Sequence, residues 1–125
     1  MKQFKTVNTI MGWITFAIAA FVYCSTIEPT ASFWDCPEFI TSAYKLEVGH
    51  PPGNPFFMLT ANLFTQFASD PTQVARMVNI MSALFSAGCI LFLFWSITDL
   101  TRKLVCSNPN EMSLSQLITI QGSGL

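Results

Sequence analysis

Charged positions along this chain fall in short clusters separated by long apolar runs. Between Lys5 and Glu28 stand twenty-two uncharged residues, Thr6 to Ile27, and between Arg76 and Asp99 another twenty-two, Met77 to Thr98. At a helical rise of about 1.5 Å per residue, each run covers roughly 33 Å, enough to cross a hydrocarbon core of about 30 Å. The pattern predicts two membrane-spanning helices, over 7–27 and 77–98. Trp95 falls near one end of the second, where interfacial aromatics gather.

A third uncharged stretch, Pro51 to Ser69, is nineteen residues long, but it opens PPGNP and carries Asn54, Thr60, Asn62, Thr65 and Gln66. Positions 62, 65, 66 and 69 fall at helical spacing opposite an apolar stripe through Phe56, Leu59, Leu63 and Phe67. That spacing predicts a helix lying on a membrane or lining a cavity rather than a third span. The basic residues support this choice. If 51–69 spanned, Arg102 and Lys103 would lie opposite Lys2 and Lys5; if it does not, all four share the cytoplasmic side, as the positive-inside bias favours.

The expected fold class is all-α, a polytopic membrane protein. Residues 1–6 are cytoplasmic, the first span follows, and 28–76 form an extracytoplasmic loop with juxtamembrane helices over about 36–46 and 55–68. The second span returns the chain to a cytoplasmic stretch over 99–113, and the apolar segment 114–125 reads as the start of a third span in a longer polypeptide. Lys2 and Lys5 before an apolar run also fit a signal peptide. The run exceeds the usual h-region of about 7–15 residues and no small-residue cleavage site follows, so an uncleaved anchor in the inner (plasma) membrane is expected.

Composition narrows the class further. Hydrophobic residues make up 51% and charged residues 10%, where a soluble domain carries roughly 25% charged residues; the mean hydropathy is +0.46. A net charge of -1 leaves no basic face for nucleic acid, and twelve Phe, three Trp and two Tyr are too apolar for a disordered chain. The four cysteines form no CxxC pair, and one His is too few for a usual zinc site.

Five of the seven acids and the single His lie between Glu28 and Asp70. Asp35-Cys-Pro-Glu38 ahead of an apolar run has the spacing of a capping box, with Asp35 as N-cap, Pro37 in the first turn and Glu38 reaching back. The same placement would fix a carboxylate as a base at the membrane edge, with the short helix ended by Gly49. His50 stands in GHPPGNP, where three prolines and two glycines hold a rigid, non-helical backbone. It reads either as an ordinary loop histidine or as a rigidly displayed ligand. Asn54-Pro55 and Asp70-Pro71 each look like an N-cap followed by proline at the first helical position. Arg76, at the outer edge of the second span, is either an interface anchor or a group that binds phosphate or pairs with Asp35 or Glu38; Asn79 would share its face.

The runs Thr30 to Ile40 (TASFWDCPEFI), Tyr44 to Met58 (YKLEVGHPPGNPFFM) and Arg76 to Ala87 resemble the N-terminus of the GT-C superfamily membrane glycosyltransferases classed as glycosyltransferase family 117. That family includes eukaryotic protein O-mannosyltransferases with a Gly-Asp-Ser-Gly-Glu-Leu motif followed by His-Pro-Pro-Gly. Asp35 and Glu38 match the acids, and His50, Pro51, Pro52 and Gly53 match the second motif. Phe33-Trp34 is more like the bacterial branch, and Pro37 stands where a glycine is more usual.

The resemblance implies a GT-C layout and transfer of a sugar from a polyprenyl-phosphate carrier to an acceptor hydroxyl of a protein on the outer face. It makes Asp35 and Glu38 the catalytic acids, Asp35 the base and Glu38 an orienting group, with His50 touching acceptor or phosphate. Arg76, from its location, would neutralise the lipid phosphate. No cofactor or metal is required, although two nearby carboxylates would tolerate a divalent ion. The implied partners are the bilayer, the lipid-linked donor, a protein acceptor and the remaining helices of a longer chain, without which this piece is expected to be inactive. The competing class is a non-catalytic two-span subunit whose loop docks on a partner; a transporter is disfavoured because neither span holds an Asp, Glu, Lys, Arg or His.

Overall fold

The computed structural model describes residues 2–51, 53–106 and 113–125; Pro52 of the second motif and part of the stretch 99–113 lie outside the described residues. Among the described residues five α-helices follow one another: α1 (Lys2–Thr26), α2 (Cys36–Lys45), α3 (Pro55–Thr65), α4 (Val74–Val105) and α5 (Leu114–Gly122), with a 3₁₀ turn at Pro71–Gln73 leading into α4. Among the described residues there is no strand, so the all-α class holds. Among the described residues two segments, Gln3–Thr26 and Pro71–Val105, are long and apolar enough to cross a membrane, and α2 and α3 lie between them in the chain.

The chain divides into two compact units, Tyr23–Phe85 and Met1–Val22 with Ser86–Leu125. In the first, α2, α3 and the start of α4 share a core of Ile40, Ala43, Met58, Ala61, Val74, Val78 and Met81. Ala43 and Ala61 are completely buried, and side chains this small let α2 and α3 approach closely. Asn62 on α3 reinforces the contact: its Nδ2 donates to the carbonyls of Ala43 at 2.9 Å and Tyr44 at 3.2 Å. Carbonyls in the last turn of a helix lack the usual partners four residues on, so this amide gives the Tyr44 carbonyl a donor and the Ala43 carbonyl one beyond the Leu46 N–H.

Helix α2 ends earlier than Gly49. Leu46 adopts φ 54°, ψ 43°, and the N–H groups of Leu46 and Glu47 return to the carbonyls of Ala43 and Ser42. These bonds make a Schellman closure, built here on a leucine in the left-handed region where glycine is usual. Helix α3 stops at Thr65 rather than 68, because Phe67 and Ala68 bond three residues back, to Phe64 and Thr65, and tighten the chain into a turn.

In the second unit, α1 meets α4 through Trp95, whose indole N–H donates to the carbonyl of Asn8 at 3.2 Å. The ring of Trp13 stands edge-on to it at 6.2 Å. Gly12 is required at this crossing, since a Cβ there would lie 2.2 Å from Trp95 Nε1. Toward the end of α4, Asp99 accepts from Arg102 at 2.6 Å and pairs with Lys103 at 2.9 Å, and the Arg102 guanidinium lies 5.2 Å over the Phe4 ring. Both cations sit in the last turn of α4, where the helix dipole favours positive charge. Helix α5 opens on a capping box between Ser113 and Gln116, and its Ile120 is fully buried.

Candidate functional site

The site is built around the start of α2. Trp34, just before it, has φ 68°, a conformation costing a non-glycine residue roughly 1–2 kcal/mol. Asp35 then takes φ -80° and ψ -4°, already helical. An N-cap side chain reaches the backbone of the first turn from an extended conformation, so Asp35 makes no side-chain cap bond. The capping box expected from Asp-x-x-Glu is therefore not formed, and the Asp35 carboxylate is exposed at the helix start.

Glu38 does not reach back either, because His50 has taken its carboxylate. The His50 backbone N–H donates to Glu38 Oε1 at 2.8 Å, and Nδ1 lies 2.9 Å from both Oε1 and Oε2. The two hydrogen bonds from His50, backbone first, hold the Glu38 carboxyl below its ordinary range. In return the Glu38 hydrogen bond and charge raise the imidazole pKa, with a smaller contribution from the charge of Asp35. Both side chains are about half exposed, at 50% for His50 and 42% for Glu38, so the pair remains open to a ligand.

The loop holds His50 in place through a turn in which Gly53 N–H donates to the His50 carbonyl at 3.0 Å, with Gly53 at φ 68°. Phe39 of α2 presses edge-on against the imidazole at 6.1 Å and against Phe57 of α3 at 5.6 Å. Gly49 lies close under Glu38 and Met58 rather than serving as the helix terminator. An open, largely apolar groove of about 430 Å³ lies alongside, lined by Leu46, Val48, Gly53, Pro55, Met58 and Leu59 among others.

Arg76, near the start of α4, is exposed and pairs with neither Asp35 nor Glu38. Its neighbour Asn79 is a tether, since its Nδ2 donates to the carbonyls of Glu28 at 2.8 Å and Thr30 at 3.1 Å and so fastens the segment after α1 to α4. Asp70 does cap, accepting from Thr72 N–H at 2.8 Å and from the Thr72 hydroxyl, and these bonds, the hydroxyl first, lower its pKa. Asn54 precedes α3 without a side-chain cap bond. Among the described residues no three His, Cys, Asp or Glu side chains converge as a metal would need.

The structure thus brings Glu38 and His50 together, leaves Asp35 free beside them, and keeps Arg76 apart from both acids. Sequence reasoning missed the positioning roles of Asn62 and Asn79. The available signal was an amide on an otherwise apolar helix, where an unsatisfied polar group is costly and a partner is therefore to be sought.

Two helices able to span a membrane, with an acid-and-histidine loop between them, define a helical membrane protein with a polar site at one helix start. Residues 35–125 match the family described as "Protein O-mannosyl-transferase TMEM260 N-terminal domain", and the chain belongs to that family. It is 38% identical over 87 residues to "Protein O-mannosyl-transferase TMEM260" of Mus musculus, an alignment covering 69% of this chain and 12% of that protein. With "Protein O-mannosyl-transferase tmem260" of Dictyostelium discoideum it shares 27% identity over 85 residues, 67% of this chain and 10% of that one. The chain therefore spans only about a tenth of the length of these relatives. Both are eukaryotic and do not carry the bacterial affiliation suggested by Phe33-Trp34. No solved structure matches the chain.

Proposed function

We propose that this chain is the N-terminal part of an integral-membrane glycosyltransferase of GT-C type, in glycosyltransferase family 117. It moves a sugar from a polyprenyl-phosphate carrier to a serine or threonine hydroxyl of a protein on the extracytoplasmic face of the plasma membrane. The relatives' printed name, protein O-mannosyl-transferase, supports mannose as that sugar. Asp35 removes the proton of the acceptor hydroxyl as its oxygen bonds to the anomeric carbon. The bond from that carbon to the phosphate oxygen breaks, with inversion, and the phosphate leaves with the electron pair. Glu38 is the second acid of the site, His50 and Arg76 bind the phosphate, and the remaining helices of the longer protein enclose the carrier.

One observation supports Asp35 over Glu38 as the base. Glu38 already accepts from His50, whereas the Asp35 carboxylate makes no cap bond and stays exposed next to the pair. In the full-length protein Asp35→Asn is expected to lower turnover by about 10²- to 10⁴-fold, the usual contribution of a positioned base, while preserving the fold. Sugar transfer is measured from a polyprenyl-phosphate donor to a serine peptide. Since Asp35 caps nothing, near-normal turnover by the variant leaves the base assignment without support.

A further inference from the structure

The transferase reading leaves open what Glu38 does once its carboxylate is committed to His50. An ionised carboxylate only accepts hydrogen bonds, so with both oxygens 2.9 Å from Nδ1 the proton on that nitrogen is fixed. The backbone N–H of the same residue bonds the same carboxylate at 2.8 Å, which fixes where the ring begins as well as how it is turned. Phe39 closes one side of the ring edge-on. The imidazole is half exposed, and among the described residues Nε2 has no hydrogen-bond partner. We propose that Glu38 is a positioning residue, which holds Nδ1 so that Nε2 is presented as an N–H donor to an anionic phosphate oxygen.

This assignment rests on the transferase reading for the identity of that phosphate, the leaving group of the lipid-linked donor. Nε2 donates only while the ring is charged. The charged groups acting on the ring are Glu38 on α2 and Asp35 just before it, while α3 carries no charged side chain. Both are anions, and both favour the imidazolium. Glu38 thus acts on the phosphate through His50, without touching substrate.

The test uses the full-length protein in lipid nanodiscs with ¹⁵N-labelled histidine, the His50 signals being those lost in His50→Asn. Nδ1 is expected to stay protonated while Nε2 titrates, and a short-chain polyprenyl monophosphate is expected to shift Nε2 and not Nδ1. Glu38→Gln is expected to lower the His50 midpoint and to weaken phosphate binding roughly tenfold above it, but not below it. In turnover, kcat/KM falls as the pH rises through the His50 midpoint, and that fall moves to lower pH in Glu38→Gln. Protonation of Nε2 instead of Nδ1 in the neutral ring overturns the assignment, and the wild-type spectrum decides this even if the variant misfolds. So does a phosphate that leaves Nε2 unmoved, or a Glu38→Gln loss equal at every pH, which would put Glu38 on the substrate itself. If the phosphate shifts Nε2 but no sugar is transferred, the transferase reading falls and the role of Glu38 stands.

Discussion

Glu38 is held by a residue twelve positions away rather than by the backbone of its own helix. The Asp-x-x-Glu spacing was legible, but a local motif cannot show a tertiary competitor. His50 offers two donors to one carboxylate, whereas the box would have supplied one, and Asp35 is already helical and unable to complete its half. The outcome has a pH signature. Raising the imidazole pKa contributes stability that is complete below the ordinary value of 6.5 and is lost as the pH rises through the raised one. Lowering the Glu38 pKa contributes stability present above its ordinary 4.5 and lost as the pH falls through the lowered one. The pair is therefore strongest between those ordinary values. Tm is expected to fall as the pH rises past 6.5 through the imidazole's raised pKa, with His50→Asn flattening the fall. An equal slope in His50→Asn would assign the fall to another group.

At the scale of elements, the short helices were legible as periodic patterns between proline-led starts, but their ends were not. Gly49 looked like the terminator of α2, yet Leu46 closes it, because burial of Ile40 and Ala43 against α3 sets where the chain must turn. A turn imposed by packing can place leucine where local preference would choose glycine. Asn62 is the lock between the two helices. Asn62→Leu keeps the volume but removes both bonds to the Ala43 and Tyr44 carbonyls, and is expected to cost about 1–3 kcal/mol of stability. Denaturant titration measures the loss, and hydrogen exchange is expected to localise it to the last turn of α2. A variant as stable as the parent, with unchanged exchange there, would show that the amide is replaceable by packing alone.

For the whole molecule, the gaps between charges were enough to read two long helices around a short-helix loop, because excluding charge from an apolar span is a strong demand on sequence. Pairings within the units were not readable: Gly12 against Trp95 and Asn79 on the Glu28 carbonyl join positions far apart in sequence through single atoms. The proposed topology puts Cys36 outside the membrane and Cys106 inside. An impermeant thiol reagent applied to intact cells is expected to label Cys36, with Cys106 reacting only after permeabilisation; the reverse order would invert the arrangement. Cys36 lies beside Asp35, and Trp34, 95% exposed, flanks it on the other side. Of the three tryptophans, Trp13 and Trp95 meet edge-on, and Trp34 alone stands in the loop. With Trp13 and Trp95 replaced by phenylalanine, this exposed indole becomes the chain's own fluorophore, whose emission reports the polarity beside Asp35 without any attached dye.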